Sequence, residues 1–196
     1  FTSDVFSMWN YTNLFGSWNH SIFQAPGCWV DAAHRNGTDI MSGIKFFESW
    51  TPGSGDKAYT KLITEKNTDG TFKYTQALIN CLMYFGADGI NYNWEDASYS
   101  GADVTAFHKS LYKEAAAQGF DNFHAGIYTS NSSLTNGYKE ALFGTTETGR
   151  TFDLMLNYSG GDFTGTNAMR SSVKVAESAM GTCEGLYTGV WFVSMD

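Results

Sequence analysis

The fold and the chemistry of this chain both turn on one stretch, Phe85-Gly-Ala-Asp-Gly-Ile-Asn-Tyr-Asn-Trp-Glu-Asp96. After the turn chemistry of Gly86 and Gly89, apolar and polar residues alternate through Glu95 as they do along a β-strand. With a period of two, Asn91, Asn93 and Glu95 fall on one side and Tyr92 and Trp94 on the other. A buried polar group left without a partner costs about 1–3 kcal/mol, so polar side chains recurring on one face of a buried strand need a reason. Two readings remain open at this point. One is an asparagine ladder at a strand end with Glu95 in solvent; the other is a site where a carboxyl group moves protons and neighbouring amides hold a ligand.

Working outward, short β-type runs alternate with amphipathic helical stretches, the pattern of a parallel sheet with crossover helices. The expected strands are Val5–Tyr11, Asp39–Phe47, Gly89–Glu95, His124–Ser130, Asp153–Tyr158 and Leu186–Ser194. Val104, Phe107, His108, Leu111, Tyr112 and Ala115 fall on one face of a helix. Leu78, Cys81, Leu82 and Phe85 form a second stripe, and Met169, Val173, Ala176 and Met180 a third. A short stripe of Trp29, Ala32 and Ala33 ends at Gly37. The strand spacing is close to the roughly 31 residues per unit of an eight-fold barrel. The chain therefore reads as α/β, a TIM-type (β/α) barrel segment covering about six of eight β/α units. Residues 1–196 form a single domain in this reading, expected to be incomplete at both ends. A doubly wound sheet with a dinucleotide is the runner-up, but the expected first turn, Asn13-Leu-Phe-Gly-Ser-Trp18, has no GxGxxG, and no GxxxxGK[ST] occurs. In the barrel, Glu95 sits at the carboxyl end of its strand, where barrel active sites are found.

Composition narrows the function classes. In 196 residues, 12 basic against 20 acidic side chains give a net charge of -8, which makes nucleic acid and anionic membrane poor partners. Charged residues at 16% and aromatics at 16% exclude a disordered chain. No apolar run approaches the roughly 18–20 residues that span a bilayer, and Phe1 opens no export signal, so a soluble chain is expected. Cys28, Cys81 and Cys183 form no metal-binding spacing and read as small buried hydrophobes, so neither a metal nor another cofactor is expected. Sequons begin at Asn10, Asn19, Asn36, Asn131 and Asn157, at a frequency that chance supplies in a chain this rich in Asn, Ser and Thr. Trp18, Trp50, Tyr99 and Tyr158 follow strands, where flat rings could stack on sugar C–H faces, while Trp29 and Trp94 read as helix-facing core. His34 reads as a helix-end hydrogen-bonding residue, and His20, His108 and His124 carry no pairing signal. No G-x-S-x-G elbow supports Ser/His/Asp catalysis.

Glu95 with an amide at Asn93 is half of a two-carboxylate glycosidase, and substrate-assisted enzymes fill the other half with the sugar's own 2-acetamido oxygen. At Asp88-Gly89 and Asn93-Trp94-Glu95 the chain resembles the endo-β-N-acetylglucosaminidases of glycoside hydrolase family 85. Trp29-Val-Asp-Ala-Ala-His-Arg-Asn-Gly37 with Ile40-Met-Ser-Gly-Ile-Lys-Phe-Phe47 resembles that family's helix and next strand. Ile127-Tyr-Thr-Ser130, Leu156-Asn-Tyr158 and Tyr187-Thr-Gly-Val190 are similar to its later strands. The resemblance implies cleavage of the β-1,4 bond in the chitobiose core of N-glycans, often with transglycosylation. It makes Glu95 the general acid/base, Asn93 the amide that steers the acetamido group, and Tyr128 a hydrogen-bonding partner in the same subsite. Asn157, Tyr158, Asn91 and Trp50 complete the expected substrate-binding set, with Tyr128 and Asn157 in the wall of one cleft. Such a substrate implies an extracellular, periplasmic or cell-surface setting. The chain departs from the family in lacking its first and final barrel strands and the Gly-Arg-Gly after the seventh, and in Asn91, where the family is apolar. Against glycoside hydrolase family 18 and its Asp-Gly-x-Asp-x-Asp-x-Glu, Asn91 and Asn93 break the carboxylate relay, which favours family 85 over a chitinase-type protein. The other alternative is a catalytically silent glycan-binding barrel.

Overall fold

The structure is a computed structural model and describes residues 6–16, 25–44, 60–94, 101–136, 143–147, 149–150, 152–158 and 167–189. In chain order its elements are β1 (Leu14–Gly16), α1 (Gly27–Arg35), β2 (Asp39–Ile44), α2 (Thr60–Thr64), α3 (Thr75–Phe85) and β3 (Gly89–Trp94). They continue as α4 (Gly101–Ala117), β4 (His124–Thr129), β5 (Gly144–Thr145), β6 (Gly149–Arg150), β7 (Asp153–Leu156), α5 (Asn167–Met180) and β8 (Leu186–Thr188). Six strands form one sheet in the order β1-β2-β3-β4-β7-β8, with every pair parallel. Apart from the small antiparallel ribbon β5-β6, strands that follow one another in sequence lie side by side, the order in which a (β/α) barrel is built.

Alternation along the strands divides the sheet into two faces. Ile90, Ala125, Ile127, Leu154 and Leu156 join Leu78, Ile79 and Leu82 of α3 and Phe107, Leu111 and Ala115 of α4 in one buried core. A smaller cluster packs Val30 and Ala33 of α1 on Ile40 of β2. That is the outer, helix-covered face. The intervening positions, among them Asp39, Met41, Asn91, His124, Gly126, Tyr128, Asp153 and Tyr187, fall on the inner face. The inner face is curled, because Asn91 of β3 touches the space above Gly16 two strands away: a Cβ built on Gly16 would lie 2.9 Å from Asn91 Nδ2.

Several sequence expectations need correction. Val5–Tyr11 is not a strand over its described part: Trp9–Tyr11 is a 3-10 turn in which Tyr11 N–H bonds Met8 C=O. Phe6 meets Trp9 and Phe15 edge-on there, with Phe6–Trp9 centroids 4.6 Å apart and Trp9 tilted against Phe15, so the apolar alternation serves an aromatic cluster. The first strand is Leu14–Gly16, inside the segment expected to be a turn. Trp29 is 47% exposed, since α1 turns Val30 and Ala33 to the sheet and leaves the indole over Phe15 at the edge. Cys28 and Cys183 are exposed and Cys81 half-buried, because α3 buries Leu78, Ile79 and Leu82 instead, while Cys28 lies in the first turn of α1 and Cys183 in the loop before β8. Among the described residues, no helix is long and apolar enough to cross a membrane.

Candidate active site

The inner face carries polar side chains at both ends of the strands. At the amino ends, the first residues of β2, β4 and β7 are Asp39, His124 and Asp153, and they meet. His124 lies between the two carboxylates, Nδ1 2.9 Å from Asp153 Oδ2 and Nε2 3.0 Å from Asp39 Oδ2. The remaining oxygens are also used: Asn122 Nδ2 donates to Asp39 Oδ1 at 2.8 Å and Arg150 Nη1 to Asp153 Oδ1 at 3.3 Å. A neutral imidazole could donate to only one of its two acceptors, so this setting favours the imidazolium. The hydrogen bond to Asp153, opposed by burial and reinforced by Asp39, holds His124 above the usual histidine range. Burial and the Asp153 charge push the Tyr112 phenol up to about 12, and its oxygen accepts the Ala125 N–H at 3.2 Å. This network was invisible to the residue-by-residue reading, in which His124 carried no pairing signal; the correction is that both its nitrogens are bonded. The available signal was that three expected strands all begin with a titratable residue. Among the described residues, no group of His, Cys, Asp and Glu could hold a metal ion; here the carboxylates sit on opposite nitrogens of one ring.

Asp88, just before β3, ties strands together as well. Its Oδ2 accepts the Ile40 N–H at 2.8 Å and lies 2.7 Å from His34 Nε2, while its own N–H donates to Ile40 C=O at 2.8 Å. His34 near the end of α1 is thus a helix-end hydrogen-bonding residue. At mid-height, half-buried Asn91 lies beside Met41, above the bare backbones of Gly16 and Gly126. A Cβ on Gly126 would stand 2.8 Å from Met41 Cε and 3.3 Å from Asn91 Oδ1, so glycine makes the room that the amide occupies.

At the carboxyl ends the described groups are neutral. Tyr128, only 3% exposed, donates its hydroxyl to Asn157 Oδ1 at 2.8 Å. Asn157 Nδ2 donates to Ser130 C=O at 3.1 Å and its backbone N–H to Asn131 C=O at 2.9 Å. The Tyr158 ring lies 5.7 Å from the Tyr128 ring, tilted by 40°, and is 36% exposed. It rests on Gly189, where a Cβ would come within 2.7 Å of Tyr158 Cδ1. Tyr128, Asn157 and Tyr158 are therefore brought together, and Asn93 holds the register position paired with Tyr128. Glu95, Trp50, Trp18 and Tyr99 lie outside the described residues.

A rim of amides and phenols at the carboxyl ends of a curled parallel sheet calls for comparison with known proteins. The sequence profile of glycosyl hydrolase family 85 matches residues 1–140. The chain belongs to glycosyl hydrolase family 85. The matched span contains Asn93, Glu95 and Tyr128, while Asn157 and Tyr158 lie beyond it. In fold, this family 85 chain is similar to the Bacillus cereus spore cortex-lytic enzyme SleL, with a TM-score of 0.58 and 14% identity over 97% of this chain and 48% of that one. It is also similar to a chitinase from Bacteroides thetaiotaomicron, with a TM-score of 0.56 and 15% identity over 91% of this chain and 58% of the other. These likenesses are of fold, and the chain spans about half the length of these structures. No curated protein sequence matches it.

Proposed function

We propose that this family 85 chain carries the active-site rim of an endo-β-N-acetylglucosaminidase, which cleaves the β-1,4 bond of the N-glycan chitobiose core by substrate-assisted, retaining catalysis. The observation that carries the reading is the pairing of Asn93 with Tyr128 at the carboxyl ends of β3 and β4, with Tyr128 anchored on Asn157 beside the ring of Tyr158. Amides and phenols hold an acetamido group by hydrogen bonds without competing as nucleophiles. In the first step the acetamido carbonyl oxygen bonds to the anomeric carbon, the glycosidic C–O bond breaks, and Glu95 gives its proton to the leaving oxygen. The product is an oxazoline still protonated on nitrogen, the amide proton having stayed in place. In the second step Glu95 takes a proton from water as the water oxygen bonds to the anomeric carbon, the ring opens, and the configuration is retained. A sugar hydroxyl in place of water gives transglycosylation. Asn93 steers the acetamido group, Tyr158 and Trp50 offer ring faces to pyranose C–H surfaces, and Asn91 lines the floor beneath. The scheme calls on no cofactor, and a glycoprotein substrate fits an extracellular, periplasmic or cell-surface setting.

The test uses an N-glycosylated peptide, the matching sugar oxazoline with an acceptor, and a chito-oligosaccharide as control. Asn93→Ala should lose glycopeptide hydrolysis and keep transfer from the preformed oxazoline, and Glu95→Gln should lose both. Normal hydrolysis by Asn93→Ala, or equal turnover of substrates without the 2-acetamido group, overturns the mechanism. Tight glycan binding with no turnover by the unaltered chain replaces it with the glycan-binding reading, and preferential cleavage of chito-oligosaccharide with the chitinase-type one.

A further inference from the structure

Asn157 was expected to touch substrate, yet both ends of its amide are engaged within the protein. The Ser130 carbonyl oxygen can only accept, so the group 3.1 Å from it must be the amide nitrogen. That places Oδ1 2.8 Å from the Tyr128 hydroxyl, and an amide oxygen can only accept, so the phenol must donate. The backbone of Asn157 is fixed too, its N–H on Asn131 C=O at 2.9 Å, and Asn131 Nδ2 lies 3.3 Å from Thr129 Oγ1. The end of β7 is thereby bolted to the segment leaving β4.

We propose that Asn157 is a positioning residue that takes the hydroxyl proton of Tyr128, so that Tyr128 faces a ligand as a hydrogen-bond acceptor only. The proposal rests on the reading of Tyr128 as a substrate contact. With its proton committed, the phenol oxygen has only lone pairs to offer, and any further partner must bring an N–H or O–H. On a 2-acetamido sugar the donor is the amide N–H. The carbonyl oxygen of the same amide is not engaged by Tyr128, which matters because a hydrogen bond donated to that oxygen would withdraw the electron density it needs to attack the anomeric carbon. Asn157 thus makes Tyr128 select for a secondary amide and protects the nucleophile. Asn157 also opens a sequon, and its nitrogen is committed to Ser130, so in the folded protein this side chain is a bolt and not a glycan anchor.

The test compares the full chain with Asn157→Leu, of similar size but unable to accept, Asn157→Asp, which still accepts, Tyr128→Phe, and the Asn157→Leu/Tyr128→Phe pair. NMR of tyrosine-labelled protein should find a protected Tyr128 hydroxyl proton in the unaltered chain and in Asn157→Asp, and none in Asn157→Leu. On glycopeptide, Asn157→Leu and Tyr128→Phe should each lower kcat by about 10- to 100-fold, the size of a lost hydrogen bond. The pair should be no worse than either alone, because one acts through the other. Asn157→Asp, which keeps the acceptor for Tyr128 but loses the donor to Ser130, should recover part of the rate lost in Asn157→Leu. A protected hydroxyl proton in Asn157→Leu, or losses that multiply in the pair, overturns the proposal. If Asn157→Leu does not fold, the unaltered chain is compared with Tyr128→Phe on a sugar oligomer whose acetamido nitrogen is methylated. Discrimination against the N-methyl sugar that disappears in Tyr128→Phe supports the acceptor role, and its persistence overturns it. Unchanged turnover by Tyr128→Phe, with the hydroxyl proton still protected in the unaltered chain, overturns instead the reading of Tyr128 as a substrate contact and leaves the Asn157 bond standing.

Discussion

The two ends of the inner face use polar groups in opposite ways. At the amino ends, Asp39, His124, Asp153 and Arg150 are charged groups that satisfy one another, with Asn122 closing the last carboxylate oxygen. At the carboxyl ends, Tyr128, Asn157 and Tyr158 are neutral, and the Tyr158 ring is 36% exposed beside the buried Tyr128. Both ends stand on the same strands, β4 and β7, separated by only a few residues along each. A charge network closed on itself has little left for a ligand and acts on stability; an amide-and-phenol rim costs little to desolvate and is suited to recognition. Barrels in general keep chemistry at the carboxyl face and stability at the other, and among the described residues the two faces here differ in charge in a way that fits that division.

The comparison breaks most visibly at Glu95. If the carboxyl ends carry the chemistry, Glu95→Gln should cost about 10²- to 10⁴-fold in kcat on a glycopeptide, the usual contribution of a general acid/base, with an unchanged melting temperature. Equal turnover by the variant would detach the reaction from this rim. At the other end Asp153→Ala should do the reverse. Asp153 is 7% exposed, and its loss strands both His124 and Arg150, so a destabilisation of about 3 kcal/mol is expected in urea unfolding, with per-molecule activity of the folded fraction retained. A neutral result in unfolding would mean that the amino-end network contributes nothing net.

Asp88 sharpens the contrast, because it belongs to the same stretch as Asn93 and Glu95 but bonds to Ile40 and His34. Asp88→Ala frees the Ile40 N–H and His34 Nε2 and should cost about 1–3 kcal/mol of stability by the same unfolding measurement. A loss of activity larger than the loss of folded protein would place Asp88 in the site after all.

How much of this was legible in the sequence follows from the range of each interaction. The starts of β2, β3, β4, β7 and β8 agree with the expected strands because turn residues and alternation are local signals, and their parallel neighbour order follows from the intervening helices. The start of the sheet was misread because Phe6, Trp9 and Phe15 are apolar for one another's sake, and a strand as short as Leu14–Gly16 leaves almost no period to read. The β5-β6 ribbon is shorter still, and it brings Arg150 to Asp153. Family likeness led to the expectation of Tyr128 and Asn157 in one cleft wall, but gave no sign of their mutual bond, which spans 29 residues of sequence. His124 was missed for the same reason: its partners lie 29 and 85 residues away, and only the closed sheet puts them on one imidazole.

A change of pH tests that imidazole. In the unfolded chain His124 titrates near the ordinary value of about 6.5, and in the folded protein Asp153 and Asp39 hold it higher. A base bound more tightly by protons when folded stabilises the fold fully below its unfolded pKa, and that stabilisation drains away as pH rises through the folded value. Raising pH from about 6 through the mildly alkaline range should therefore lower the melting temperature of the unaltered protein, apart from any carboxylate titration, which lies below this window. The nearby phenols of Tyr112 and Tyr187 are both held above their usual range, so neither titrates in the window. His124→Gln keeps a donor for one carboxylate and removes the titration. It should melt lower than the unaltered protein at pH 6, by the equivalent of about 1.5–3 kcal/mol for a lost charge-assisted hydrogen bond, and the two melting curves should converge as pH rises. Parallel pH profiles for the two proteins would mean that His124 is neutral between its carboxylates, and that the amino-end network is held by Arg150 alone.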